Sequence, residues 1–247
     1  MRSPRAAAVH TILEFLGQLS IPPPEKSYRI EEPGQRWARR RTANRRCAKR
    51  RQHLMRSICV YCGSSPGADP RFMASARALG QVIAETDRVL VYGGAKVGLM
   101  GALADSVLAA GGKVIGVVPR ALMEKKVAHD ALTELHVVSS MHERKGMMAE
   151  LADAFIAMPG GLGTLEEFFE MWTWAQLGLH QKPLGLLGTQ DFFAPLLQFL
   201  DGLVSQRFLR PEHRQMALLE QDPVLLLRRL EDYKVTGVAK WIDRGEV

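Results

Sequence analysis

Met158-Pro159-Gly160-Gly161-Leu162-Gly163-Thr164-Leu165-Glu166-Glu167 follows a short apolar run, Ala154-Phe155-Ile156-Ala157, and opens an apolar-periodic segment from Leu165 to Leu177. That order predicts a strand, a glycine-rich turn and the start of a helix. Three glycines in four residues let the backbone come close to a ligand and leave several N–H groups unshielded. Those groups, with the positive end of the helix dipole, make a site for an anion. Two carboxylates one turn into the same helix would lie close to any phosphate held there. The combination points to chemistry on a phosphorylated substrate rather than to storage of an anion.

Outward from this stretch the same unit recurs. Ile58–Cys62, Val89–Tyr92, Val114–Val118, Leu135–Val138 and Leu184–Leu187 read as strands, making six with Ala154–Ala157. Segments of helical spacing, Arg71–Glu85 and Gly98–Ala110 among them, separate these strands. Such alternation predicts an α/β fold, a doubly wound, mostly parallel sheet with helices on both faces. After Asp191 the pattern reads as helical, broken at Pro211 and Pro223. No internal repeat is visible, and residues 57–247 are expected to form a single domain.

Residues 1–56 differ in kind. They hold 14 Lys/Arg against 4 Asp/Glu, whereas the other 191 residues hold 19 against 22. The net charge of +7 therefore belongs to a basic N-terminal extension, and the domain gives little electrostatic support for nucleic-acid binding. Three readings of the extension stand open: a disordered basic arm, an Arg-rich targeting peptide, or a misplaced start, with Met55 as the natural one. Cys47, Cys59 and Cys62 are the only cysteines, an odd and low count that points to a reducing compartment, and we expect a cytoplasmic protein. No apolar run approaches the ~20 residues of a membrane-spanning helix.

In an open parallel sheet, ligands collect at the carboxyl ends of the strands. Three glycine-rich turns fall there: Cys62-Gly63-Ser64-Ser65, then Gly93-Gly94-Ala95-Lys96-Val97-Gly98-Leu99-Met100-Gly101, and Gly160–Thr164. None has the dinucleotide fingerprint or P-loop spacing. Each alone could be an ordinary tight turn, but three on one sheet edge indicate a nucleotide-sized, phosphate-bearing ligand. Thr164-Leu165-Glu166-Glu167 also matches a capping box, which would account for Thr164 and Glu167 without chemistry. Ser140 and Glu143 repeat that spacing. In the helix they start, Met141, Met148, Leu151 and Ala152 form an apolar stripe with Arg144 in its middle. An arginine there needs an anion or a carboxylate; a structural salt bridge or a snorkelling side chain is the bland alternative. Cys59-x-x-Cys62 falls on a strand, so core packing is preferred to a redox role for Cys59. His129, His136 and His142 lack metal spacing, and no zinc set is present.

The combination of Gly93-Gly94 and Gly98-Leu99-Met100-Gly101 with Ser140-Met141-His142-Glu143-Arg144-Lys145 and Pro159–Glu167 resembles the LOG ("lonely guy") family, often labelled lysine decarboxylases. The likeness runs from about Ser57 to about Asp232, and residues 1–56 have no counterpart in it. It implies a Rossmann-like homodimer that hydrolyses the N-glycosidic bond of nucleoside 5′-monophosphates without metal or other cofactor. AMP and N6-substituted AMP, such as cytokinin riboside monophosphates, would yield free base and ribose 5-phosphate. Arg144 and Glu167 match the catalytic pair. The positions expected to line the nucleotide site are Gly63, Ser64, Gly93, Gly94, Gly98, Met100, Lys145, Gly160, Gly161, Gly163, Thr164, Glu166 and Thr173. Many relatives carry an acidic residue near Lys126, where this chain has Lys125-Lys126, which bears on substrate preference. Molybdenum-cofactor carrier proteins resemble the family in the glycine turns, so a non-catalytic nucleotide or pterin-cofactor carrier is the alternative.

Overall fold

The computed structural model describes residues 55–123, 128–188 and 190–234. Most of the basic extension, Lys125 and Lys126 lie outside the described residues. The order of elements is β1 (Ser57–Tyr61), α1 (Pro70–Glu85), β2 (Val89–Tyr92), α2 (Gly98–Ala109), β3 (Lys113–Pro119), the single turn α3 (Arg120–Met123) and β4 (Glu134–Val138). Then come α4 (Met141–Leu151), β5 (Ala154–Ala157), α5 (Leu162–Gln176), β6 (Leu184–Leu187), α6 (Gln190–Ser205), α7 (Pro211–Arg214), β7 (Ala217–Glu220) and α8 (Pro223–Glu231).

Local chemistry explains the helices. In α1 the Asp69 carboxylate caps Arg71 N–H at 2.8 Å, Pro70 occupies the first turn, and Ala76, Leu79, Gly80 and Ile83 give one buried face. Pro211 and Pro223, expected as breaks, occupy the first turns of α7 and α8. Ala217-Leu218-Leu219-Glu220 is a seventh strand rather than helix, pairing in parallel with Leu184–Leu187. Four apolar-rich residues carry no decisive period, and the open edge of β6 selects the extended form.

The sheet order is β4-β3-β2-β1-β5-β6-β7, with every neighbouring pair parallel. The expected doubly wound sheet is therefore present. Even-numbered side chains of β1 (Ile58, Val60 and Cys62 just beyond it) pack with α1, α2 and α8, while Cys59 and Tyr61 pack with α4, α5 and α6. The alternation is that of a strand buried on both faces. It also sends Cys59 and Cys62 to opposite faces, each fully buried with its thiol pushed far up by burial. Core packing, not redox chemistry, is their role. The strand order reverses between β1 and β5, so the crevice of this sheet opens where Gly63 and Pro159 leave their strands.

At the opposite end of β5, His180 Nε2–H donates to the Met171 carbonyl at 2.9 Å and Nδ1 accepts from Lys182 N–H at 3.1 Å. Both bonds require the neutral ring, and burial lowers its pKa from 6.5 to about 4. Between those values the unfolded chain binds a proton that the folded chain excludes, so stability falls as pH drops from about 6.5 toward 4. The loss is on the order of 3 kcal/mol. Urea denaturation at pH 7 and pH 4.5 is expected to show it, and His180→Gln to flatten the slope.

Candidate active site

The three glycine turns meet at this crevice through backbone bonds. Gly63 N–H donates to the Pro159 carbonyl at 3.0 Å, and the Gly63 carbonyl accepts from Leu99 and Met100 N–H at 3.0 and 3.3 Å. Gly98 has φ +60°, and a Cβ on it would stand 2.3 Å from the Ser64 carbonyl carbon. Glycine is thus required both for conformation and for contact between the first two turns. The Leu99 and Met100 amides at the start of α2 are taken by the Gly63 carbonyl, which ties the first two turns together. His129 closes over the second turn, donating its N–H to the Gly94 carbonyl at 2.9 Å and pairing Nε2 with Asp105 at 2.9 Å.

The third turn is different. α5 begins at Leu162, with extended Gly161 as its N-cap and no side-chain cap bond. Across the turn, Leu165 N–H donates to the Gly161 carbonyl at 3.2 Å. The capping box expected at Thr164 is therefore absent, because the helix starts three residues earlier, with Gly161 in the cap position. Thr164 is instead a buried first-turn residue whose Oγ1 would lie 2.2 Å from a Cβ on Gly160. Gly160 leaves room for that hydroxyl. Gly161, Leu162 and Gly163 are exposed, so the first-turn amides of a 15-residue helix face solvent. These are the donors an anion can use.

Five residues into α5, Glu167 is buried against α4. Arg144 Nη1 lies 3.0 Å from Glu167 Oε1, with both side chains 7% exposed. Arg144 Nε donates to the Val117 carbonyl at 3.1 Å, and its Nη2 rests over Gly93, where a Cβ would sit 2.2 Å from it. Burial pushes the Glu167 carboxyl above the usual carboxylate range, opposed by the Arg144 charge. The carboxylate expected beside Arg144 is thus identified. Of the apolar stripe around Arg144, Met148 and Ala152 are buried, but Met141 is 47% exposed and covers the guanidinium with its sulfur 3.9 Å from Nη1. The Ser140 cap is present, its Oγ accepting from Glu143 N–H at 3.1 Å, while Glu143 reaches back to Ser139 N–H at 2.7 Å instead of closing on Ser140.

Lys145 does not face the amides of α5. Its ammonium is paired with Glu166 and lies 3.0 Å from Glu170 Oε2. Burial alone would lower its pKa, but the two carboxylates hold it above the ordinary lysine value. Glu170 was not expected from the motifs; its i+4 spacing from Glu166 is the signal that could have found it. Thr173 shares that helix face, exposed and ~9 Å farther along the axis than Glu167. Ser64 is exposed in the first turn. Among the described residues, no group of three or more His, Cys, Asp or Glu side chains could hold a metal ion, and no helix is long and apolar enough to cross a membrane.

Comparison with known proteins gives this geometry its context. A family model described as "Possible lysine decarboxylase" matches residues 100–230. The cytokinin riboside 5′-monophosphate phosphoribohydrolase of Rhodococcoides fascians is 47% identical over 168 residues, covering 68% of this chain and 85% of that protein. The enzyme of the same name from Oryza sativa subsp. japonica, LOG, is 45% identical over 183 residues, covering 74% and 76%. Among solved structures, the molybdenum cofactor binding protein of Rippkaea orientalis superposes with a TM-score of 0.55 at 24% identity, over 73% of this chain and 98% of that one. The molybdenum cofactor carrier protein of Chlamydomonas reinhardtii gives 0.54 at 20%, over 72% and 99%. Those two likenesses show the fold alone. The family model covers Arg144, Glu167 and the third glycine turn, and with relatives 45–47% identical over most of their length the chain belongs to the LOG family.

Proposed function

We propose that this chain hydrolyses the N-glycosidic bond of nucleoside 5′-monophosphates, AMP and N6-substituted AMP such as cytokinin riboside monophosphates, releasing free base and ribose 5-phosphate. The observation that carries this reading is the buried Arg144–Glu167 pair, 3.0 Å apart, one turn beyond the uncapped start of α5. The 5′-phosphate sits on the first-turn amides of α5 with the Thr164 hydroxyl beside it. Glu167 lies ~7 Å farther along the helix axis, a span comparable to that between the phosphate and C1′ of a bound nucleotide.

As the glycosidic bond lengthens, its electron pair leaves with the base and positive charge grows at C1′. The Glu167 carboxylate faces that charge and takes the proton of the attacking water, whose oxygen bonds to C1′. That proton then goes to the departing base. Arg144, fixed at Nε by the Val117 carbonyl and at Nη1 by Glu167, keeps the carboxylate in one rotamer and offers Nη2 to the substrate. Phosphate binding orients the ribose, so remote binding energy is used at the reacting carbon. A decarboxylase acting through a lysine Schiff base fits poorly, since Lys145 is held as an ammonium by two carboxylates. The cytoplasmic homodimer expected from the cysteine count and the family resemblance belongs to the same proposal.

The test is incubation with AMP and with adenosine at equal concentration, followed by chromatography of free adenine. Release from AMP at least ~100-fold faster than from adenosine is expected, because only AMP engages the α5 amides. Equal rates would remove the role given to the phosphate.

A further inference from the structure

Two adjacent cations on α4, Arg144 and Lys145, face three carboxylates on α5, Glu166, Glu167 and Glu170. The pairing is unequal. Arg144 takes Glu167, while Lys145, with its side chain 9% exposed, takes the other two. Of these, Glu166 is 55% exposed and Glu170 only 24%. Lys145 makes its hydrogen bond to Glu166 and only an ion pair to Glu170, but an exposed partner is screened by water and free to leave, so the more buried Glu170 is the electrostatic anchor of Lys145. Without it, Glu167 is left as the buried carboxylate of α5 on which the Lys145 charge already acts. A second cation on Glu167 would blunt the charge that C1′ needs.

We infer that Glu170 is a positioning residue for the glycosidic cleavage: it holds Lys145 away from Glu167 and locks α4 to α5, so that Arg144 alone orients the reacting carboxylate. This rests on the hydrolysis proposed above. Glu167 is faced by Arg144 and Lys145 from α4, by Glu166 and Glu170 from its own helix, and by Cys59, Tyr61 and Cys62 from β1 and its end. The Glu170 charge raises the Glu167 carboxyl and Lys145 lowers it. Loss of Glu170 therefore acts twice in one direction, removing an anion and freeing a cation.

The experiment is the pH profile of kcat for adenine release from AMP by the full chain. Glu170→Gln is expected to lower kcat about tenfold with KM changed less than about threefold, a geometric effect on the reacting group. Its acid limb should move to lower pH, and Glu166→Gln should move it less. In a Lys145→Met background, loss of Glu170 should move the limb less than in the unmodified chain, because the anion is still removed but no cation is freed. The double variant Lys145→Met/Glu170→Leu replaces the buried pair by apolar groups and serves if Glu170→Gln fails to fold. A wild-type limb and kcat in Glu170→Gln would overturn the inference. So would a larger shift in Glu166→Gln, or a shift on loss of Glu170 as large in the Lys145→Met background as in the unmodified chain. Failure of the unmodified chain to release adenine would instead overturn the proposed function.

Discussion

Glu167→Gln is expected to reduce kcat for adenine release from AMP by about 10³-fold, within the range of a positioned acid–base and electrostatic group. Glutamine keeps the shape of the side chain and can still accept a bond from Arg144. It cannot stabilise positive charge at C1′, nor take a proton from water. AMP affinity should change little, because the phosphate rests on the amides of α5, which the substitution leaves in place. Single-turnover base release with titration calorimetry of AMP separates the two quantities. Activity within tenfold of the unmodified chain would remove Glu167 from the chemistry. The substitution also leaves the Arg144 guanidinium, 7% exposed, without its counter-charge. A stability loss of about 3 kcal/mol is expected from that, so the assay belongs at low temperature with the fold checked by circular dichroism.

Gly93→Ala is the second large effect, at a position that touches no ion pair of its own. A Cβ at residue 93 would stand 2.2 Å from Arg144 Nη2, inside any real contact. The guanidinium cannot simply withdraw, because Nε is bonded to Val117 and Nη1 to Glu167. The added methyl therefore tilts Arg144 and with it the Glu167 carboxylate. A displacement near 1 Å costs about 10²-fold in rate. Gly93 does not have a positive φ, so alanine adds no backbone strain there. At Gly98, φ is +60° and a Cβ would meet the Ser64 backbone, so Gly98→Ala should act mainly on stability. The pair of variants separates the two roles. Gly93→Ala should lose kcat while nearly keeping its urea midpoint, and Gly98→Ala should lose the midpoint.

Much of this was legible in the chain. Pro159-Gly160-Gly161-Leu162-Gly163-Thr164 announced a strand-to-helix turn by composition, since glycines before an apolar-periodic run fit few other structures. Arg144 in an apolar stripe announced a buried anion or carboxylate, because an unpaired buried charge is too costly to persist. The doubly wound sheet followed from alternating periods of two and 3.6. Local pattern misled where two structures share a period or a spacing. Thr164 and Glu167 have capping-box spacing, yet Gly161 caps α5. Ala217–Glu220 read as helix and became an edge strand.

What the sequence by itself determined is the order of strands and helices and the set of charges at the crevice. Only the tertiary structure decided which charge pairs with which. Arg144 and Lys145 are neighbours in the chain, as are Glu166 and Glu167, and every pairing among them satisfies the same spacing. The packing of α4 on β3, with Val117 holding Arg144 Nε and Gly93 making space for Nη2, aims Arg144 at Glu167 and leaves Lys145 to Glu166 and Glu170. Spacing is a property of one helix, whereas partner choice depends on depth and on contacts from strands distant in sequence.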